Sequence, residues 1–169
     1  MANFDEYFPI ENQLEGTVYE NDADDVGGCT KYGITLIDLV NFYKDKSLNC
    51  SHVKAMTSDE AYKVLKGLYW DAYNCSEIPN QSLAEFICDS ILNQGKIIVK
   101  YIQQIVGVEV DGVWGLGTLK AVLNYDSKKL FDLLYQKRLT RYEDIVKHNP
   151  SQEKFHKGWI NRLNAIKWA

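Results

Sequence analysis

Residues 14–34 read LEGTVYENDADDVGGCTKYGI, which places a carboxylate at the end of an apolar segment and a polar, glycine-rich segment directly after it. Glu15 is therefore predicted to lie at the end of the first helix. Residues 16–30 contain few helix formers and many turn residues, which predicts a loop that turns back towards Glu15. The side chains expected to face the Glu15 carboxylate are Asp22, Asp24, Asp25 and Thr30.

This order of residue types matches what acetal hydrolysis requires. One acid protonates the leaving oxygen, and a second polar group supplies or positions the water. Glu15, Asp24 and Thr30 fit the spacing E-x8-D-x5-T. That spacing resembles the catalytic spacing of phage-type lysozymes, which implies Glu15 as the general acid.

The wider stretch resembles glycoside hydrolase family 108, the lysozyme-like N-acetylmuramidases that include secretion activators. The family pattern reads roughly E-G-G-Y-x-N-D-x-x-D-x-G-G-x-T-K-Y-G-I. This chain has Thr17 in place of the second glycine and one extra residue before Asn21. The family pattern selects Asp25 as the aspartate ahead of the two glycines, whereas the lysozyme spacing selects Asp24, so both stay candidates with Thr30.

The composition is that of a soluble globular protein. The chain has 169 residues, of which 46% are hydrophobic and 25% charged, enough for one well-filled core. Eleven tyrosines and four tryptophans favour aromatic surfaces that also form hydrogen bonds, as sugar-binding clefts do. The formal net charge of −4 argues against a nucleic-acid partner.

Metal ligands and cofactor motifs do not emerge from the sequence. The four cysteines form no C-x-x-C pair, and the three histidines lack ligand spacing, so neither a metal nor a cofactor is expected. A chain of this length does not need disulfides. Free, mostly buried thiols are therefore expected at Cys29, Cys50, Cys75 and Cys88.

The N-terminal residues lack the basic flank and apolar core of a signal peptide, and no apolar run approaches the ~18 residues of a membrane span. We therefore expect synthesis in the cytoplasm, no membrane insertion, and a monomer. Action on a bacterial cell wall would then require export or release by another route.

From Thr35 onward the apolar residues recur at helical spacing, with glycine stops predicted at Gly95 and Gly107. The chain is predicted to be mainly α, with one small β-hairpin or irregular loop near the N-terminus. The family resemblance implies a lysozyme-like fold. Residues 1–94 would form the catalytic region, and residues 95–169 would form a helical region packed into the same globular unit.

That second region resembles the peptidoglycan-binding region that accompanies the hydrolase family. The residues responsible are Asp111 to Thr118, which read DGVWGLGT, and Lys157 to Arg162, which read KGWINR. The D-G-x-W-G-x-x-T pattern also occurs in other wall-binding modules. It can equally be a tight turn that leads into a helix.

Further residues are candidates for binding substrate. The segment from Phe86 to Gly95 resembles the family's F-D-x-x-x-N-x-G, which implies sugar contacts by Asp89 and Asn93. A structural role for Asp89 is equally open, since an ionised carboxylate in an apolar segment needs a partner. Trp70, from a Tyr-Trp pair that the family shares, and Tyr32 are the aromatic candidates.

Together these patterns predict a peptidoglycan hydrolase that cleaves the β-1,4 bond between N-acetylmuramic acid and N-acetylglucosamine, with the glycan strands as its partner. Two alternatives stay open. A non-catalytic peptidoglycan-binding or secretion-assisting protein could keep the same fold, and a regulatory helical protein could bind a partner through its aromatic C-terminal helix.

Overall fold

A computed structural model describes residues 1–21 and 28–169, and its contacts divide the chain into two compact units. The N-terminal unit comprises Phe4–Ala72. The C-terminal unit comprises Tyr73–Ala169 together with Met1–Asn3. The chain is mainly α-helical and has a small antiparallel sheet near its N-terminus, which confirms the predicted fold class.

The N-terminal unit surrounds a three-stranded sheet with short helices. Its strands follow the order β1-β2-β3 and pair antiparallel. The elements in chain order are α1 (Phe4–Glu15), β1 (Glu20–Asn21), β2 (Cys29–Lys31), β3 (Ile34–Thr35), α2 (Leu36–Tyr43), α3 (Cys50–Ala55), α4 (Ser58–Leu65) and a π-helical segment (Lys66–Asp71).

Side-chain caps explain where the helices of this unit begin. Thr35 and Asn49 each form a capping box at the start of α2 and α3, respectively. At the start of α4, the Thr57 hydroxyl accepts a hydrogen bond from the backbone N–H of Glu60. Such caps satisfy backbone N–H groups that have no partner inside the helix.

An aromatic cluster forms the core of the N-terminal unit. The Trp70 ring lies 5.4 Å from Phe4 and 6.0 Å from Tyr7, measured between ring centroids. Tyr62 packs edge-on against Phe4 and donates a 2.6 Å hydrogen bond to Asp5. That hydrogen bond raises the pKa of Tyr62 to about 12. The cluster joins α1, α4 and the π-helical segment.

The C-terminal unit is built around the buried helix Gln81–Gln94. Its elements are a 3₁₀ turn (Cys75–Glu77), α5 (Gln81–Gln94), α6 (Lys96–Val106), α7 (Leu116–Asn124), α8 (Ser127–His148), a second 3₁₀ turn (Pro150–Gln152) and α9 (Glu153–Leu163). Every residue from 82 to 91 of α5 is buried. The predicted stops at Gly95 and Gly107 are confirmed, since α5 and α6 end there with positive φ angles.

A buried ion network ties α5 to α8 and α9. The fully buried Asp89 carboxylate accepts a 2.8 Å bond from Arg138 of α8 and a 2.9 Å bond from Arg162 of α9. Arg138 also donates to the Ser90 hydroxyl at 3.0 Å and to the Tyr142 hydroxyl at 3.2 Å. A buried carboxylate with these partners stabilises the packing, because leaving its charge unpaired would cost several kcal/mol.

The D-G-x-W-G segment is a turn organised by Gln103. The Gln103 amide donates to Asp111 at 2.7 Å and to Thr118 at 3.1 Å, and its carbonyl accepts from the Gly112 N–H at 2.9 Å. The backbone N–H of Val113 and then the Gln103 amide lower the pKa of Asp111. This motif is therefore a structural turn that leads into α7.

Among the described residues, each helix is too short or too polar to cross a bilayer.

Replacing Asp89 tests the buried network. We expect Asp89→Ala to lower the free energy of unfolding by about 3–5 kcal/mol, because two guanidinium groups lose a buried partner. The matched control is Asp132→Ala, whose 2.6 Å pair with Lys128 is about half exposed and contributes about 1 kcal/mol at most. Urea denaturation of both variants measures the difference. Equal losses would contradict the structural role of Asp89.

Candidate functional site

Glu15 is the last residue of α1, as the sequence predicted. The next residue, Gly16, leaves the helix with a φ of +74°, and its N–H donates a 3.0 Å bond to the carbonyl of Asn12. Glycine is favoured at this position because a side chain would be strained at positive φ. The helix end therefore presents the Glu15 side chain at an exposed position.

The T-K-Y-G-I stretch forms the β2–β3 hairpin beside Glu15. Lys31 pairs with Ile34, so Tyr32 and Gly33 are the two residues of the turn. Their φ angles are +55° and +71°. Two positive φ angles in a two-residue loop are the signature of the type I′ turn, whose twist suits a tight hairpin.

Gly33 lies against the side chain of Glu15. A Cβ atom at residue 33 would fall 2.7 Å from Cγ and 2.9 Å from Cδ of Glu15. Distances this short do not occur between unbonded carbon atoms in contact. The backbone of the hairpin turn therefore forms one wall for the Glu15 side chain, and only glycine at residue 33 leaves room for that side chain in its observed conformation.

Thr30 lies on the outward face of the sheet. In the central strand β2 it is directly opposite Glu20 of β1 and Thr35 of β3. Residues directly opposite in an antiparallel sheet share a face, and neighbours along a strand alternate. Cys29 and Ile34, on the other face, are buried, which leaves Thr30 half-exposed.

Two contacts attach β2 to α3. A disulfide joins Cys29 to Cys50. In addition, the Lys31 ammonium donates to the carbonyls of Lys54 at 3.0 Å and Met56 at 2.8 Å, at the end of α3. The strand that carries Thr30 and leads into the turn is thus fixed at both ends.

The expectation of four free thiols is wrong for Cys29 and Cys50 and is confirmed for Cys75 and Cys88, which are free and buried. The wrong prediction rested on chain length and on the absence of a signal sequence. Neither shows which two cysteines meet in space, and here residues 21 positions apart come together when the hairpin packs on α3.

The structure describes all four predicted substrate-binding residues, and two of them, Trp70 and Asp89, are enclosed. Trp70 has no exposed surface and packs in the aromatic core, and Asp89 is enclosed by Arg138 and Arg162. Neither offers a surface to a sugar, so the structural role that was left open for Asp89 is the one observed. Asn93 is exposed and donates a 2.7 Å bond to the carbonyl of Asp89, and its sugar contact stays a prediction.

Tyr32 and the aspartates complete the predicted set. Tyr32 occupies the first position of the hairpin turn, with the Lys31 ammonium 5.3 Å from its ring centroid. It is half-exposed beside the Glu15 wall, and its contact with sugar also stays a prediction. Asp24 and Asp25, with Asp22, lie outside the described residues.

Two carboxylates near this site were missed by the sequence reasoning. Glu20 lies on the outward face of the sheet with Thr30, and only the observed pairing of the two strands shows this. Glu11 lies one helical turn before Glu15, is fully buried and accepts a 2.9 Å bond from the Tyr7 hydroxyl. The four-residue spacing between Glu11 and Glu15 was the available signal, since it places both on one helix face.

In residues 1–21 and 28–169, no three or more histidine, cysteine, aspartate or glutamate side chains come together as a metal site. The side chains described at this site include the Glu15 and Glu20 carboxylates and the Thr30 hydroxyl, which can transfer protons and form hydrogen bonds.

Comparisons with known proteins agree with this architecture. Residues 12–95 match the model of a family described as glycosyl hydrolase 108, and residues 98–164 match a model described as a predicted peptidoglycan domain. A solved structure, that of Brucella abortus SagA, is similar with a TM-score of 0.81 and 29% sequence identity. The match covers 96% of this chain and 90% of that chain, and it supports the lysozyme-like fold. No curated protein matches.

The disulfide leads to a direct test. We expect the denatured, unreduced protein to show two reactive thiols and the reduced protein four, measured by alkylation and mass spectrometry. Cys50→Ser should lower the free energy of unfolding by about 3 kcal/mol, because the unfolded chain loses a cross-link over 21 residues. Cys75→Ser replaces a free buried thiol and serves as the control for thiol count. Four thiols before reduction would contradict the pairing.

Proposed function

We propose that this chain, which belongs to the glycosyl hydrolase 108 family over residues 12–95, is a peptidoglycan hydrolase that uses Glu15 as its general acid. The bond cleaved is the β-1,4 bond between N-acetylmuramic acid and N-acetylglucosamine. The predicted peptidoglycan domain at residues 98–164 supports peptidoglycan as the partner.

The observation that carries the proposal is the contact between Gly33 and Glu15. An exposed glutamate at a helix end has many conformations, and a catalytic acid has to be held in one. The hairpin turn restricts the side chain from one side, at the 2.7 Å and 2.9 Å distances that exclude a Cβ. A surface carboxylate without a catalytic role does not require a restricted side-chain conformation.

In the proposed reaction, the Glu15 carboxyl group donates its proton to the glycosidic oxygen as the bond from that oxygen to C1 breaks. The sugar ring gains positive charge at C1, and a water molecule adds there. The proton released by that water returns to a carboxylate. Metal and organic cofactors have no role in these steps.

The second role, positioning the water or stabilising the positive charge, is proposed for Thr30 with Asp24 or Asp25. Thr30 supports this because β2 holds it on the outward face of the sheet, where its hydroxyl can bind water. Glu20, directly opposite Thr30, adds a carboxylate to the same face. Tyr32, at the tip of the same hairpin, is the proposed aromatic contact for a sugar ring.

The alternative is a non-catalytic wall-binding protein, and the match to a predicted peptidoglycan domain favours it as a second candidate. The two proposals share a substrate and differ in whether a bond is broken. Release of soluble fragments from purified cell walls separates them, since a binding protein sediments with walls and releases nothing.

Glu15→Gln tests the acid directly. We expect the variant to clear purified cell walls at least about 100-fold more slowly than the parent, because an amide has no proton to give to the leaving oxygen. Glu6→Gln, an exposed change on the same helix, should clear walls at the parental rate. Analysis of the new reducing end should identify N-acetylmuramic acid. Equal clearance by Glu15→Gln and the parent would contradict the assignment of Glu15 as the general acid.

Gly33→Ala tests the wall beside Glu15. A methyl group there displaces the glutamate side chain, and we expect wall clearance to fall at least about tenfold. Gly28→Ala is the matched control, since Gly28 has a similar φ of +66° but no atom of residues 1–21 or 28–169 within 4 Å of the added Cβ. Both variants carry a backbone cost of about 1–2 kcal/mol. Clearance is therefore measured well below both melting temperatures, and an equal loss in the two variants would show that strain alone is responsible.

A further inference from the structure

A groove in the C-terminal unit lies between the outer faces of α6 and α8. Its volume is about 430 Å³, and a neighbouring hollow of about 230 Å³ extends it. The two share Tyr101, Arg141 and Asp144 as lining residues. Resting on the proposed function, we propose that this groove binds the peptide stem of peptidoglycan, with Arg141 as the ligand for a stem carboxylate.

Arg141 is the main reason for an anionic ligand. Its Nε is buried and has no hydrogen-bond partner in the part of the chain that the structure describes. Its other nitrogens form no ion pair or hydrogen bond with the described residues either. Arg138, three residues earlier on the same helix, also leaves Nε without an acceptor but uses both terminal nitrogens on Asp89, Ser90 and Tyr142.

The buried Nε of Arg141 is costly, because this donor has lost water and gained no acceptor among the described residues. The terminal nitrogens of Arg141 line the groove without a partner among the described residues, and a carboxylate in the groove can bind them through two parallel hydrogen bonds. The planar fork of arginine suits this geometry. An unused arginine in a groove is therefore better explained by an external carboxylate than by packing.

The neighbouring charges fit a peptide that carries both signs. Lys137, one turn before Arg141, lies in the groove with its ammonium 3.1 Å from Oε1 of Gln104 and 5.3 Å from the Tyr101 ring centroid. Two cations thus line one groove of a chain whose formal net charge is −4. Asp144, one turn after Arg141, supplies an acceptor for an ammonium group, such as the one on the diamino acid of the stem.

The apolar part of the groove favours peptide over sugar. Ile105 and Leu133 line it with aliphatic surface, and Leu133 is 39% exposed. Sugar rings bind chiefly to aromatic faces, and the aromatic ring among the lining residues, Tyr101, already has the Lys137 ammonium near it. Aliphatic surface beside a guanidinium suits the methyl groups and carboxylates of alanine and glutamate residues.

The length of the groove also fits. Its lining on α8 runs from Leu133 to His148, which corresponds to roughly 22 Å of helix at 1.5 Å per residue. An extended tetrapeptide spans about 13 Å. The groove is therefore long enough for one stem.

The test uses the full chain and a synthetic stem tetrapeptide that contains no sugar. The peptide has no glycosidic bond, so the parent protein can be used without being inactivated. Isothermal titration calorimetry should detect binding by the parent. Arg141→Gln should weaken it at least tenfold, and Lys137→Gln should weaken it by a smaller factor. Lys147→Gln removes a charge from an exposed position on the same helix outside the groove, and it should change affinity less than twofold.

A second measurement uses cell walls from which the stems have been removed by an amidase. Arg141→Gln should bind intact walls more weakly than the parent does, and both should bind stem-free glycan equally. Parental affinity of Arg141→Gln for the tetrapeptide would overturn the proposal, as would a parent that binds stem-free glycan and not the peptide. Because peptide binding does not require cleavage, failure here is distinct from failure of the Glu15→Gln test.

Discussion

The contact between Gly33 and Glu15 is the constraint on which the candidate site depends. It requires a turn whose two residues both take positive φ, and it requires that the second of them carry no Cβ. The position of this turn depends on β2, which the disulfide and Lys31 attach to α3. One side chain at the end of α1 is therefore positioned by a chain of contacts that runs through the hairpin to α3.

The C-terminal unit uses its charged residues in two ways. On the inner face of α8, Arg138 is fully buried and satisfies Asp89, which joins α5, α8 and α9. On its outer side, Arg141 faces a groove and has no partner in the described part of the chain. Side chains three residues apart on a helix differ in direction by about 300°, so Arg138 and Arg141 lie in different environments. The same residue type thereby supports packing at one position and binding at the other.

Much of the fold could be predicted from local signals. Gly95 and Gly107 end helices because glycine tolerates positive φ, and the helical spacing of apolar residues from Thr35 onward predicted the mainly α-helical chain. The hairpin was expected from β-prone residues close to glycines. The roles of Trp70 and Asp89 were harder to predict from the sequence, because their neighbours Phe4, Arg138 and Arg162 are far away in the chain. A buried structural carboxylate and a ligand-binding one look alike in sequence.

Local sequence patterns were enough to predict the helical architecture, the glycine stops at Gly95 and Gly107, the place of Glu15 at the end of α1 and the resemblance to glycoside hydrolases. These follow from interactions between residues a few positions apart or from a motif read in order. The pairing of Cys29 with Cys50, the enclosure of Asp89 and the approach of Gly33 to Glu15 became visible only in the folded chain. Each of these depends on which distant segments pack together, and the free energy of that packing belongs to the folded chain as a whole and to no single segment.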